Sequence, residues 1–296
     1  MVGDIEVKSV LNKHKKRDAW FLDDYSINLY EGCPINCLYC YIRGSKYGEN
    51  MAETFSVKVN APEILDRQLK ARARKGEFGF VVVSSATDPY PPIEKERQLT
   101  RKALEILLAH RFPVHVITKS TMVLRDLDLL REIDSAAIVP EDLKTKLGRG
   151  VIISFSISTL DEEITRVLEP GAPTPLERLE TLRSCSKEGF LAGLNCIPAL
   201  PYLSDSDVHL EDMIRAAREY GADFILIGGL TLFGKGPSDS RTLFYRFLER
   251  YRPDLVVRYK SLYRIFPMPP KEYQAQLESR ATSLAVKHGI RRSIAA

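Results

Sequence analysis

The sequence predicts an α/β fold in which six strands alternate with helices. Two observations carry this expectation. Several strand candidates are short apolar runs without polar alternation, as strands buried on both faces should be. Between them lie stretches opened by capping residues and closed by Gly or Pro, the order of a sheet with helical crossovers. Six units rather than eight point to an incomplete barrel or an open sheet, and the pattern alone does not choose between them.

The elements run as follows. Residues 24–30 read as a short strand ending at Gly32, and three cysteines follow at once. Asn60, Pro62 and Glu63 open a helix that runs to about Gly76, with Asn60 able to cap it. A strand at 79–85, a helix at 96–110, a strand at 114–118 and a helix near 126–133 come next. Residues 134–149 read as a polar linker. A strand at 151–158 precedes a helix at 160–168, for which Thr159 and Glu162 look like a capping box. Pro170-Gly171 ends it. A helix at 175–188, a strand at 191–200, a helix at 205–220, a strand at 223–229 and a helix near 239–250 complete the series. The last forty-five residues read as helical and amphipathic, able to cover one end.

The chain has 296 residues, 44% of them hydrophobic, enough for one sizeable core. No apolar run reaches membrane-spanning length and the first twenty residues lack a signal-peptide core, so a cytoplasmic protein is expected. The formal charge is only +4. Basic residues nevertheless cluster at Lys13–Arg17, at Lys70–Lys75 and at Lys287–Arg292, patches that could track a phosphate backbone or be ordinary solvated surface. The five cysteines are an odd number in a chain too long for a disulfide scaffold.

Three of them, Cys33, Cys37 and Cys40, fall in GCPINCLYCY with the spacing Cys-x3-Cys-x2-Cys. A tight loop of this length can bring three soft thiolates onto one iron–sulfur cluster. With no fourth cysteine nearby, a four-iron, four-sulfur cubane would keep one iron open to a ligand. The competing assignment is a structural zinc with a distant fourth ligand from Cys185, Cys196 or His115, although structural zinc ligands usually come in close pairs.

Cys-x3-Cys-x-aromatic-Cys after a first strand, with Tyr39 in the aromatic place, resembles the signature of the radical S-adenosylmethionine (SAM) superfamily. Thr87-Asp88-Pro89-Tyr90 and Glu169-Pro170 are similar to motifs of the branch that includes spore photoproduct lyase and DNA-repair-photolyase-like proteins. The resemblance implies a partial (β/α)6 barrel of the TIM type over 24–236, behind a basic N-terminal segment, 1–23, and ahead of a C-terminal helical extension, 237–296. It implies two cofactors, a 4Fe-4S cluster on the three cysteines and S-adenosylmethionine on the open iron. One electron from a flavodoxin- or ferredoxin-type donor would cleave the sulfonium to a 5'-deoxyadenosyl radical that abstracts hydrogen from substrate.

The same resemblance places residues about the cofactor. Tyr39 would lie beside adenine. Ser84, Ser85, Thr87 and Asp88 would receive the methionine ammonium in place of a Gly-Gly-Glu sequence. Lys119 is a candidate for a carboxylate or a substrate phosphate. Ser154, Ser156 and Ser158 share one face of their strand and fit a polar interior. Arg166 is similar to the arginine that fixes the methionine carboxylate, Asn195 could reach ribose and Ile197 could pack on adenine. Gly228 and Gly229 permit close approach. One departure stands out: where the lyase is expected to carry a hydrogen-donor cysteine beyond the second strand, this chain has Val83-Ser84-Ser85-Ala86. Nucleic acid is one expected substrate. A small metabolite, peptide or cofactor precursor is the alternative, and a non-enzymatic redox sensor the third reading.

Overall fold

The computed structural model describes residues 2–45, 48 and 55–295. The chain opens with β1 (Val2–Ile5), β2 (Asn12–Lys13), β3 (Tyr25–Ile27), β4 (Tyr30–Glu31), β5 (Phe55–Lys58) and α1 (Ala61–Ala73). Next come β6 (Val81–Val83), α2 (Glu94–Arg97), α3 (Leu99–Ala109), β7 (Val114–Thr118), α4 (Leu127–Ala136) and α5 (Glu141–Leu147). They are followed by β8 (Val151–Ser156), α6 (Glu162–Leu168), α7 (Pro175–Lys187), β9 (Leu191–Ala199), α8 (Asp207–Glu219) and β10 (Phe224–Gly229). Helices α9 (Ser240–Tyr251), α10 (Val256–Leu262) and α11 (Lys271–Lys287) complete the order. Among the described residues no helix is long and apolar enough to cross a membrane.

The main sheet has the order β10-β9-β8-β7-β6-β3-β2. The six strands from β3 to β10 run parallel in chain order, and β2 adds antiparallel to β3. This is the six-unit α/β arrangement expected from the sequence, and among the described residues no ladder joins the two end strands. Alternate residues face opposite sides. Val81, Val83, Val114, Val116, Ile153, Leu194 and Ile225 face the helices and form the large outer core. On the inner side Phe80, Ile152, Leu191, Phe224 and Leu226 join Leu22 and Ile294 in a second core that fills the N-terminal ends of the strands. Gly193 is required there, because a Cβ would stand 2.4 Å from the Phe224 ring.

Several elements were not visible in the sequence. The predicted first strand is two, β3 in the main sheet and β4 in a small sheet of order β1-β5-β4. Two- to four-residue strands carry too few side chains to display a period. The linker at 134–149 holds α5. Asn60 does not cap α1, since its side chain pairs with the backbone of Val7 instead. Asp161 rather than Thr159 caps α6, while a full capping box forms at Thr174 and Glu177.

His115, on the inner face of β7, is wholly buried. Its Nδ1 stands 2.9 Å from the Phe21 carbonyl and its Nε2 2.6 Å from Ser154 Oγ. The carbonyl can only accept, so Nδ1 carries the proton and Nε2 accepts from the serine. Burial lowers the pKa from 6.5 to about 4. An unfolded chain takes up a proton below about pH 6.5 while the native protein does not. This contribution to stability is therefore full above pH 6.5 and declines as pH falls toward 4. Denaturant melts over that window should show a shallower pH slope for His115→Asn than for wild type, and equal slopes would refute the assignment.

Candidate active site

The three cysteines lie on a loop between β4 and β5, at the C-terminal end of the parallel sheet. Gly32 and Asn36 take positive φ values of 80° and 60°, which coil the loop tightly. Turns close from Cys33 O to the Asn36 amide, 3.2 Å, and from Cys37 O to the Cys40 amide, 3.3 Å. Arg43 holds the shape from beneath: Nε donates to the Cys37 carbonyl at 3.1 Å, Nη1 to Ser238 O at 3.2 Å, and Nη2 to Asn36 Oδ1.

A second segment clamps the loop from above. The Leu38 amide donates to Leu168 O at 2.9 Å and the Gly171 amide to Ile35 O at 3.0 Å. Gly171 must be glycine, because a Cβ would lie 2.4 Å from the Pro34 carbonyl oxygen. Between these contacts sits Glu169, 1% exposed. It receives the Tyr39 hydroxyl and, at 2.9 Å, the Ser158 hydroxyl, and it pairs with the fully buried Arg178 at 2.5 Å. Arg178 also donates to the carbonyls of Ser156 at 2.7 Å and Pro173 at 2.9 Å. Burial alone would raise the Glu169 pKa, but Lys119 and Arg178 hold it below the ordinary carboxylate value.

The loop roofs a cavity of about 530 Å³. Cys33, Cys37, Cys40, Tyr39 and Tyr41 line it from above, and Val82, Ile117, Ser156, Asn195 and Ile197 from the sheet. Ser84 to Asp88 and Lys119 line the side nearest β6 and β7. Four buried polar atoms here have no hydrogen-bond partner: Ser84 Oγ, Thr87 Oγ1 and both amide atoms of Asn195. Buried polar atoms in native proteins are almost always paired, so these call for a polar ligand. Asp88 is already engaged. Its carboxylate accepts from Thr118 Oγ1, the Lys119 amide and the Tyr90 amide, each within 2.9 Å, which ties the Thr87–Tyr90 turn to the end of β7. Burial would strip Lys119 of its proton, but Glu169 and Cys37 reverse the direction and raise its pKa.

Among the described residues no three His, Cys, Asp or Glu side chains converge on a single-ion site. A cubane demands less convergence, because each thiolate binds a different iron. Cys185 and Cys196 are buried in the outer core and do not line the cavity.

Most of the residues singled out in the sequence meet at this cavity, namely the three cysteines, Tyr39, Ser84, Ser85, Thr87, Asp88, Lys119, Ser156, Asn195 and Ile197. Three do not. Arg166 is exposed on α6, whose buried side carries Thr165 and Leu168, so it is no cavity residue. Ser154 faces inward but lies one layer too deep, bonded to His115. Ser158 falls beyond the end of β8 and turns to Glu169 and Tyr39. The sequence reading missed Arg178, yet the signal was present: it occupies the buried stripe of α7 with Pro175, Leu179, Leu182 and Cys185, where an arginine requires a buried anion. It also missed His14, Asp23 and Thr231, which line the cavity and have no motif.

Comparison with known proteins gives the family and the fold. Residues 27–214 match the radical SAM superfamily. An uncharacterized protein of Mycobacterium tuberculosis is 31% identical over 96% of this chain and 80% of its own length. One from Methanocaldococcus jannaschii is 29% identical over 68% of each chain. A radical SAM Nα-GlyT isomerase of Pseudomonas phage M6 is 22% identical over 59% of this chain and 33% of its own. Among solved structures, a spore photoproduct lyase superposes with a TM-score of 0.69 at 17% identity, covering 97% of this chain and 79% of the lyase. A variant of that enzyme with bound AdoMet and dinucleoside spore photoproduct gives 0.68 at 18% identity, with coverage of 97% and 78%.

The clamp makes a quantitative prediction. Removing one partner of a buried ion pair leaves the other charge uncompensated, at a cost of about 3–5 kcal/mol, whereas removing both is often near neutral. Glu169→Leu should destabilise by that amount in a denaturant melt. The double variant Glu169→Leu/Arg178→Met should lose less than the sum of the two single variants, and additive losses would contradict the pairing.

Proposed function

The chain belongs to the radical SAM superfamily, and within it we propose that Cys33, Cys37 and Cys40 hold a 4Fe-4S cluster over a cavity that binds S-adenosylmethionine for radical chemistry on a substrate. The observation that carries the proposal is the meeting of three thiols and four unpartnered buried polar atoms in one cavity. When bound, the two groups would supply one-electron reductive cleavage of the sulfonium and a hydrogen-abstracting radical.

The protein's own part is to bind and orient. The Ser84 and Thr87 hydroxyls can accept from the methionine ammonium. Lys119, charged and within the cavity, is the cation suited to its carboxylate, the role the sequence resemblance gave to Arg166. Asn195 offers a donor and an acceptor to ribose, and Ile197 an apolar wall to adenine. Ser84 itself has φ 68°, a strained conformation for serine that aims its hydroxyl inward. Together these residues would hold the cofactor in one orientation beside the cysteine loop. The electron must come from a separate low-potential donor of the flavodoxin or ferredoxin type, since the two remaining cysteines are buried in the outer core. A dinucleoside in the structural neighbour supports a nucleic-acid substrate for this chain as well.

The test is anaerobic reconstitution followed by chromatography of 5'-deoxyadenosine under strong reductant. Wild type should release it, and Cys37→Ala should neither hold four irons nor release it. Lys119→Ala should keep the cluster but bind S-adenosylmethionine roughly ten- to a hundredfold more weakly, the worth of a charged hydrogen bond at about 1.5–3 kcal/mol. Arg166→Ala should bind as wild type. Loss of affinity in Arg166→Ala with none in Lys119→Ala would reverse the assignment.

A further inference from the structure

The formal charge of this protein is not spread evenly. Residues 235–264, which contain α9 and α10, hold eight Lys or Arg and three Asp or Glu, a charge of +5 where the whole chain carries +4. The basic clusters apparent in the sequence are partly neutralised in the fold. Lys13 and Arg72 share Glu77, Arg17 pairs with Asp24, and Lys287 pairs with Glu211. In 235–264, among the described residues, only Arg252 forms an ion pair, with Asp254. Lys235, Arg246, Arg250, Arg258, Lys260 and Arg264 are all exposed.

The loop that follows this surface is tied to the rim of the cavity. Helices α9 and α10 pack on the cluster loop through Phe244, Tyr259 and Tyr263 against Tyr39, Leu230 and Leu232. Leu230 and Thr231 line the cavity. The Tyr263 hydroxyl bonds Leu230 O at 2.9 Å and the Leu232 amide bonds Pro267 O at 2.8 Å, so the loop after α10 is laced to the rim. That loop carries Ile265, Phe266 and Met268 with 69%, 66% and 49% of their surface in solvent. A monomeric fold has no use for three large apolar side chains displayed together amid arginines.

We propose that the α9–α10 face and the 264–268 loop form a docking surface for a nucleic-acid strand, with the cations tracking phosphates and Phe266 stacking on a base at the cavity mouth. Six of the eight cations are arginines, whose planar fork suits phosphate oxygens. An apolar wedge beside cations is how proteins unstack a base, and a base must leave its stack before an enclosed site can act on it. A membrane surface would also attract cations and apolar tips, but the attachment of the loop to Leu230, which lines the cavity, favours the substrate as occupant. The inference builds on the radical reading only for what happens inside the cavity. Its test measures binding rather than turnover, so the two stand or fall separately.

The full-length reconstituted protein is titrated into a fluorescein-labelled single-stranded oligonucleotide, with anisotropy read from 50 to 200 mM salt. Wild type should bind with affinity that falls steeply with salt. Arg250→Glu/Lys260→Glu/Arg264→Glu should bind at least tenfold more weakly and with a log–log salt slope shallower by about 2–3. Phe266→Ala should lose roughly five- to a hundredfold with the slope unchanged, since stacking carries no counterions. The exposed Phe266 makes that single variant safe for folding if the triple variant misfolds. Oligonucleotide affinity indifferent to Phe266→Ala, or preferential capture of wild type by phosphatidylserine vesicles with release by Phe266→Ala, would overturn the proposal.

Discussion

The Glu169 carboxylate is the contact through which the parts of the site are held in register. It is buried, and it stays ionised because Arg178 and Lys119 lie beside it. Tyr39 brings it the cluster loop, Ser158 the end of β8, Arg178 the start of α7 and Lys119 the end of β7. Three separate segments thus meet on one carboxylate, and the charge of a fourth holds it ionised. A buried ion pair seldom adds net stability over an apolar substitute, because desolvation offsets the attraction. Its use here is positional: an apolar cluster could fill the same volume, but it would not fix where the loop's thiols and the lysine stand relative to the strand ends.

Around that anchor the cavity keeps polar atoms unpaired. The hydroxyls of Ser84 and Thr87 and the amide of Asn195 are buried without partners, although water or a neighbouring side chain could satisfy such groups elsewhere. Asp88 shows the contrast. Three donors consume its carboxylate, so it shapes the turn rather than reaching a ligand. The stability forgone on the unpaired atoms is available to a ligand that supplies the missing bonds, which is how a site is organised before its ligand arrives.

The sequence revealed those parts of the site whose chemistry is local. Three cysteines in eight positions, a hydroxyl-rich turn after a strand and an asparagine on an inward strand position could be read without coordinates. The six-strand order was equally plain, because buried parallel strands and capped helices leave continuous signals. What could not be read depends on distance in three dimensions. Arg166 and Arg178 are both arginines on helices that follow β8, and the one nearer in sequence faces solvent. Ser154, Ser156 and Ser158 alternate as expected, but depth along the strand sends one to His115, one to the cavity and one to the Glu169 clamp. The short strands β1 and β5 owe their existence to each other rather than to any periodicity of their own.

An open sheet of six parallel strands leaves two problems that a closed barrel does not have, an unpaired edge and a gap into the interior. The chain resolves both with its own termini. Arg292 donates to the carbonyls of Ile225 and Ile227, at 2.9 and 3.3 Å, and the Arg291 carbonyl accepts the Ile225 amide at 2.9 Å, so the edge of β10 is capped. Phe21 and Leu22 enter the gap from the other side and join Ile294 in the inner core, while Trp20 stands against Gly228, where a Cβ would lie 3.2 Å from its ring. These plugs seal the N-terminal half of the interior and stop below the cysteine loop. The polar strand ends above them are left for the cavity, and the basic N-terminal segment expected over 1–23 supplies His14, Phe21 and Asp23 to its wall. The gap in the sheet thereby becomes the opening of the site.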